Sequence, residues 1–186
     1  MKNTTVIIGA GLSGLLVARE LASRDARLVV LEKSRGVGGR MSTKRVGSAV
    51  FDQGAQFFTV RDEHLEARIA CWERKGVVAR WPSDAADEED RWVARPSMTG
   101  LAKALAKNLP IKLQSQVQSV RRHEGGSWEI DIAGADLVRA DRIIFSSPVP
   151  QSLALLDAGE VKLPEKVRAD LDQVDYHPCL ALAASK

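Results

Sequence analysis

The sequence predicts an α/β fold: a parallel nucleotide-binding sheet, an antiparallel β-meander, and a partial α+β insert. Three observations carry that prediction. The apolar run Val6-Ile7-Ile8 is followed at once by Gly9-Ala10-Gly11-Leu12-Ser13-Gly14 and then by a helical pattern. A second apolar run, Arg27-Leu28-Val29-Val30-Leu31, ends at Glu32. A nearly all-apolar segment returns much later, at Arg142-Ile143-Ile144-Phe145, and suits a strand buried on both faces.

The first run describes a strand, a tight turn and a helix whose N-terminus can hold a pyrophosphate. In that reading Gly9 allows the turn, Gly11 lets the backbone approach the phosphates, and Gly14 lets helix and strand pack closely. Leu12, Leu15, Leu16, Ala18 and Leu21 mark a buried helix face, with Arg19 and Glu20 turned outward. Glu32 lies 18 residues after Gly14. A carboxylate about 20 positions beyond the glycines can accept from both hydroxyls of a ribose. The Gly-x-Gly-x-x-Gly spacing alone is a weak signal, and a glycine-containing hairpin with a surface glutamate is the competing reading. The complete strand–turn–helix–strand–acid unit favours a Rossmann-like dinucleotide site.

Next comes Lys33-Ser34-Arg35-Gly36-Val37-Gly38-Gly39-Arg40-Met41. Glycines between arginines make poor core but a good flexible surface for phosphate. Taken alone, the cluster reads better as an exposed basic turn. A third element is Phe51-Asp52-Gln53-Gly54-Ala55-Gln56-Phe57-Phe58. Small residues at Gly54 and Ala55 suit the approach of a flat ring, or an ordinary turn between two strands.

Further along, residues 62–75 read as a helix with Leu65, Ile69 and Trp72 on one face, and Val77 to Trp81 as a strand ended by Pro82. The run Asp84-Ala85-Ala86-Asp87-Glu88-Glu89-Asp90 reads as a solvated acidic loop rather than a metal site. Trp92-Val93-Ala94 returns as a strand. Thr99 is expected to cap a helix through Lys107, ended at Leu109-Pro110. Ile111–Leu113 should join the nucleotide sheet. Segments 116–122, 128–133 and 137–140 alternate well enough for a meander, with turns at Gly125-Gly126 and Gly134. Helices should begin near Gln151 and Leu163-Pro164, and Cys179–Ala184 reads as a strand. The resulting organisation is a nucleotide domain in 1–55 and 98–170, with a partial substrate domain in 56–97 and 171–186.

Composition excludes several classes. Hydrophobic residues at 45% and charged residues at 27% are ordinary for a soluble globular chain of 186 residues. A net charge of +3 does not argue for nucleic acid. His64, His123 and His177 are scattered and show no zinc spacing, so no metal is expected. Cys71 and Cys179, 108 positions apart, read as reduced thiols of a cytoplasmic protein. The apolar stretch after Lys2 is explained by the glycine motif better than by a signal peptide. No apolar run reaches 18 residues, so no membrane partner is expected. Oligomeric state is not legible.

Taken together, the glycine unit ending in Glu32, the Gly-Gly-Arg segment and the Asp52–Asp62 stretch resemble the flavin amine oxidase-like superfamily of FAD-dependent oxidoreductases. Within it, the run from Lys33 to Met41, the Asp-x-Gly-Ala-Gln-Phe-Phe-Thr-x-Arg-Asp run, Arg91–Met98 and Arg142–Pro148 look most like bacterial renalase-type proteins. The resemblance runs from Thr4 to Ala184 and implies FAD as cofactor. It implies that Glu32 binds the ribose of the adenosine half and that Gly9, Ala10, Gly11, Ser13 and Gly14 surround the pyrophosphate. Lys33, Arg35, Gly39, Arg40 and Met41 would follow the phosphates and ribityl chain. Gly54, Ala55, Gln56 and Phe57 would lie near the isoalloxazine ring, and the backbone around Val117 near adenine. The implied substrate is a small molecule, an isomer of a reduced nicotinamide dinucleotide, with oxygen as acceptor. Other readings are an amine- or polycyclic-alkene-oxidising relative, a non-catalytic dinucleotide-binding module, and an NAD-only protein. The resemblance implies no catalytic acid or base. The chain has no Gly-Asp pair of the kind carried by the C-terminal part of such proteins, so it is expected to match their N-terminal part, with autonomous turnover in question.

Overall fold

The computed structural model describes residues 3–81, 90–182 and 184. In chain order these residues begin with β1 (Thr4–Ile8), α1 (Leu12–Ser23) and β2 (Arg27–Leu31). A 3-10 turn at Gly39–Met41 follows, then β3 (Thr43–Val46), β4 (Ala49–Asp52), β5 (Phe58–Thr59), α2 (Glu63–Arg74), β6 (Val78–Arg80), β7 (Arg91–Ala94) and α3 (Thr99–Ala106). The remainder is β8 (Ile111–Lys112), β9 (Val117–Arg122), β10 (Trp128–Ile132), β11 (Val138–Ala140), β12 (Arg142–Phe145), α4 (Val149–Ala158) and α5 (Glu165–Asp172). These fall into two compact units. One comprises Met1–Val37 with Asn108–Cys179, the other Gly38–Lys107 with Leu180–Lys186.

The first unit holds a four-stranded sheet in the order β12-β1-β2-β8, and every pair in it is parallel. β1 is central, and Val6 and Ile7 are fully buried, as a strand flanked on both edges requires. The meander β11-β10-β9 is antiparallel. One core joins them. Val6, Ile8 and Leu31 of the parallel sheet pack with Val117, Val120, Ile130 and Ile132 of the meander and with Leu153 and Leu156 of α4. The early arrival of β8 beside β2 and the meander's pairing agree with the sequence pattern.

The second unit contains a hairpin, β3-β4, and a three-stranded antiparallel sheet in the order β5-β7-β6. α2 starts one residue after its cap, Asp62, whose side chain accepts from the Leu65 N–H at 3.0 Å. Ile69 is the residue of α2 that becomes buried. The α/β class, with parallel sheet, meander and α+β insert, is thus the observed architecture.

Two local expectations are corrected. Thr99 does not cap α3; Met98 occupies that position without a side-chain cap. The Thr99 hydroxyl donates instead to the Met41 carbonyl at 3.1 Å, and the Asp52 carboxylate accepts from the Met98 N–H at 3.1 Å. The Met98 and Thr99 N–H groups at the helix start are met from 46 and 56 residues away, which a local cap pattern does not register. The apolar run from Cys179 forms no strand among the described residues, and Leu180 and Leu182 are 100% and 96% exposed. Apolar residues make a strand only where a neighbour supplies the hydrogen-bond ladder. Pro82, the acidic run from Asp84 to Glu89, and Ala183 lie outside the described residues.

Candidate functional site

In the first unit the site forms where β1 and β2 end. Gly9 has φ +105°, a backbone conformation that favours glycine, and its N–H donates to the Leu31 carbonyl at 2.8 Å. Gly14 stands where α1 meets this turn. A Cβ there would lie 2.2 Å from the Gly9 carbonyl oxygen, so no larger residue fits without movement. Gly11 is different: a Cβ there would meet nothing within 4 Å. Its neighbours leave it open on that side, which is the room a ligand's phosphate needs. Gly11 is also the N-cap of α1, whose first turn carries no acidic residue. The partial positive charge of the helix start is therefore not offset by its own side chains.

Glu32 follows β2 and is 7% exposed. Its Oε2 accepts from the Ala10 N–H at 2.7 Å and its Oε1 from the Ser34 N–H at 2.9 Å. A carboxylate has about four acceptor positions, so two N–H donors leave capacity for ribose hydroxyls. The two backbone bonds fix the group against the glycine turn. Lys33 and Arg35 are exposed, and Lys33 Nζ donates to Gln151 Oε1 at 3.3 Å. Val117 opens β9 opposite Ile132, with its side chain in the core.

The other predicted residues lie in the second unit. Gly38 and Gly39 have φ +124° and +54° and lead into the turn that ends at buried Met41, while Arg40 is exposed. The Arg40 carbonyl accepts from the Ala55 N–H at 2.9 Å. A Cβ on Gly54 would lie 1.9 Å from that same oxygen. Glycine is required at 54 by the backbone of the Gly-Gly-Arg segment itself. Gln56 is exposed, and Phe57 lies under the Arg91 guanidinium at 4.7 Å and 6.1 Å from the Trp81 ring.

Structure therefore gathers Gly9, Ala10, Gly11, Ser13, Gly14 and Glu32 in one unit, and Gly39, Arg40, Met41, Gly54 and Ala55 in the other. Sequence reasoning passed over two supports. Ser146, just after β12, places its hydroxyl 3.0 Å from both the Ile8 and the Gly9 carbonyl oxygens. Asp52 accepts from the Thr43 hydroxyl at 2.5 Å as well as from Met98. A small polar residue at the end of a buried strand was the available signal for Ser146. Among the described residues no group of His, Cys, Asp and Glu side chains is placed to hold a metal.

Comparison with known proteins bears on this geometry. Residues 7–83 match the family of NAD(P)-binding Rossmann-like domains. The chain's fold is Rossmann-like. It is similar to wild-type putrescine oxidase bound to putrescine, with a TM-score of 0.68 at 14% identity, covering 92% of this chain and 63% of that one. It is 27% identical over 180 residues to the tRNA 5-methylaminomethyl-2-thiouridine biosynthesis bifunctional protein MnmC of Albidiferax ferrireducens, which is 87% of this chain and 29% of that protein. A 65-residue stretch is 34% identical to the 4,4'-diapophytoene desaturase of Staphylococcus aureus, 35% of this chain and 13% of that enzyme. The chain thus spans about three tenths of the first relative. No helix among the described residues is long and apolar enough to cross a membrane.

Proposed function

We propose that this chain is the dinucleotide-binding part of an FAD-dependent oxidoreductase of the flavin amine oxidase-like kind, acting on an amine or a polyene. The observation that carries the reading is the pairing of an open Gly11 with a buried, oriented Glu32 in one unit. That arrangement fits a pyrophosphate and a ribose. Likeness to putrescine oxidase and, over 65 residues, to a desaturase supports an oxidoreductase of this kind.

Bound FAD supplies the hydride-accepting chemistry, with oxygen as acceptor. The chain's own residues hold and orient it. Glu32 accepts from the ribose. Gly9, Ala10, Gly11, Ser13 and Gly14 receive the pyrophosphate. Lys33, Arg35, Gly39, Arg40 and Met41 follow the phosphates and ribityl chain, Gly54, Ala55, Gln56 and Phe57 approach the ring, and the Val117 backbone meets adenine. The same proposal gives 1–55 and 98–170 to FAD and 56–97 and 171–186 to the substrate.

A narrower reading, oxidation of isomeric dihydronicotinamide dinucleotides by a renalase-like enzyme, is favoured by the run from Lys33 to Met41 and the Asp52–Asp62 stretch. The first experiment is an absorbance spectrum of the purified chain, repeated on the supernatant after heat denaturation. A released flavin spectrum is expected. A colourless protein that takes up no added FAD overturns the reading. Oxygen consumption with amines, polyenes and isomeric dihydronicotinamides then separates the substrate classes.

A further inference from the structure

The peptide group that joins Gly9 to Ala10 is held at both ends. Its N–H donates to Glu32 Oε2 at 2.7 Å, and its carbonyl oxygen accepts from Ser146 Oγ at 3.0 Å. The serine reaches it from β12, 137 residues along the chain. Ser146 Oγ also stands 3.0 Å from the Ile8 carbonyl, but that oxygen already accepts the Ser146 N–H at 3.0 Å in continuation of the sheet ladder. A hydroxyl has a single proton to donate. Gly9 is where it adds a bond to the turn.

The same hydroxyl fills the room that two glycines leave. A Cβ on Gly9 would lie 2.7 Å from Ser146 Oγ, and one on Gly14 2.5 Å from it. Gly9 sits at φ +105°, and a glycine lets the following peptide group rotate at little steric cost. Such a rotation would turn a carbonyl oxygen outward and withdraw the Ala10 N–H from Glu32. An anion site needs the opposite, N–H groups presented and oxygens turned away.

We propose that Ser146 is a positioning residue for the dinucleotide site: its hydroxyl pins the Gly9 carbonyl inward, and with Glu32 it locks the peptide in the orientation that a pyrophosphate tolerates. The inference rests on the dinucleotide reading above, but the lock itself is a property of the ligand-free chain.

The test compares Ser146→Ala with Ser147→Ala in the full chain. The Ser147 hydroxyl pairs with that of Ser152 at 2.8 Å and serves as the control. Amide hydrogen exchange across residues 9–14 is measured without ligand, and ADP and adenosine affinities by NMR titration. One neutral hydrogen bond corresponds to roughly a five-fold effect. Ser146→Ala should speed exchange of the turn amides about that much and weaken ADP by a similar factor, leaving adenosine unchanged. Ser147→Ala should do neither. Unchanged exchange overturns the lock. Equal weakening of ADP and adenosine overturns the phosphate-directed role. If Ser146→Ala does not fold, Ser146→Cys, a weaker donor of similar shape, carries the same comparison. A wild-type chain that binds neither ADP nor FAD removes the dinucleotide reading, while the exchange result still decides the lock.

Discussion

The glycine turn of the first unit and the Gly-Gly-Arg segment of the second are both glycine-rich, yet glycine serves them differently. In the first, Gly14 is glycine because the Gly9 carbonyl crowds it, whereas Gly11 faces open space. Against the second, Gly54 of the following stretch is glycine because the Arg40 carbonyl presses on it. One region combines a packing glycine with one that leaves room for a ligand. The other is met by a packing glycine, Gly54, that serves the architecture of the second unit. Glycine in a motif is therefore not by itself a sign of ligand contact; what stands opposite the missing Cβ decides.

The strongest way to break this comparison is to add the methyl. Gly14→Ala and Gly54→Ala each drive a Cβ into a backbone oxygen, and each should cost about 3 kcal/mol of stability by overpacking. Chemical denaturation followed by unit-specific amide exchange reads both. Gly14→Ala should also abolish ADP binding, and Gly54→Ala should leave it intact. Gly11→Ala should change stability by less than about 0.5 kcal/mol, since its backbone suits alanine at φ −73°. It should still weaken ADP about ten-fold if that open side receives a phosphate. A Gly11→Ala chain with unaltered ADP affinity would remove the distinction.

Next in size is the acid at the end of β2. Glu32→Ala strips the acceptor from the buried Ala10 N–H, a loss of about 1–3 kcal/mol. It should weaken ADP or FAD far more than Glu66→Ala, a change on the exposed face of α2. Equal effects in a titration would withdraw the ribose assignment.

What the sequence conveyed follows the same division. Local patterns placed the strands β1, β2 and β12, and the meander, because each has a period or apolar run of its own, although β12 stands at the sheet edge and is only half-buried rather than buried on both faces. The turn at Gly9 and the acid at Glu32 were legible since their spacing is fixed by one helix and two strands. Ser146, Asp52 and Thr99 were not. The partners that matter for them include ones 137, 46 and 58 residues away. A hydroxyl's role is set by which carbonyl the fold brings beside it, and no window of sequence contains both. The strand expected from Cys179 failed for the related reason that apolarity says nothing of a ladder partner.

Asp52 sharpens the contrast inside the second unit. Its carboxylate joins the β3-β4 hairpin to the start of α3 through Thr43 and the Met98 N–H. Asp52→Ala should cost about 1–2 kcal/mol, seen as faster exchange at Met98 and Thr99, with ADP affinity unchanged. Loss of ADP binding in this variant would show that the second unit's frame governs the first unit's site.

The smallest effect concerns acid. On the meander, Glu129 accepts from Arg121 at 2.9 Å and from Arg139 at 3.1 Å, with His123 Nδ1 at 3.4 Å. The Arg121 hydrogen bond, reinforced by Arg139 and by the charges of His123 and Arg121, holds its carboxyl below the ordinary value of 4.5 against the opposing effect of desolvation. A carboxyl depressed in the folded state stabilises the fold above its unfolded pKa, and that contribution disappears as pH falls through the folded value. The window therefore opens near pH 4.5 and extends downward. Glu129→Gln should lower the unfolding midpoint slightly at neutral pH, where the carboxylate contributes, and flatten the acid limb so that the two proteins converge below that pH; the effect is small because the exposed arginine partners are screened by solvent. Thermal melts at steps between neutral and acidic pH make the comparison. An acid limb identical in both proteins would place the acid sensitivity elsewhere, and a large shift at neutral pH would mean that the arginines hold the meander together through Glu129 rather than merely decorating it.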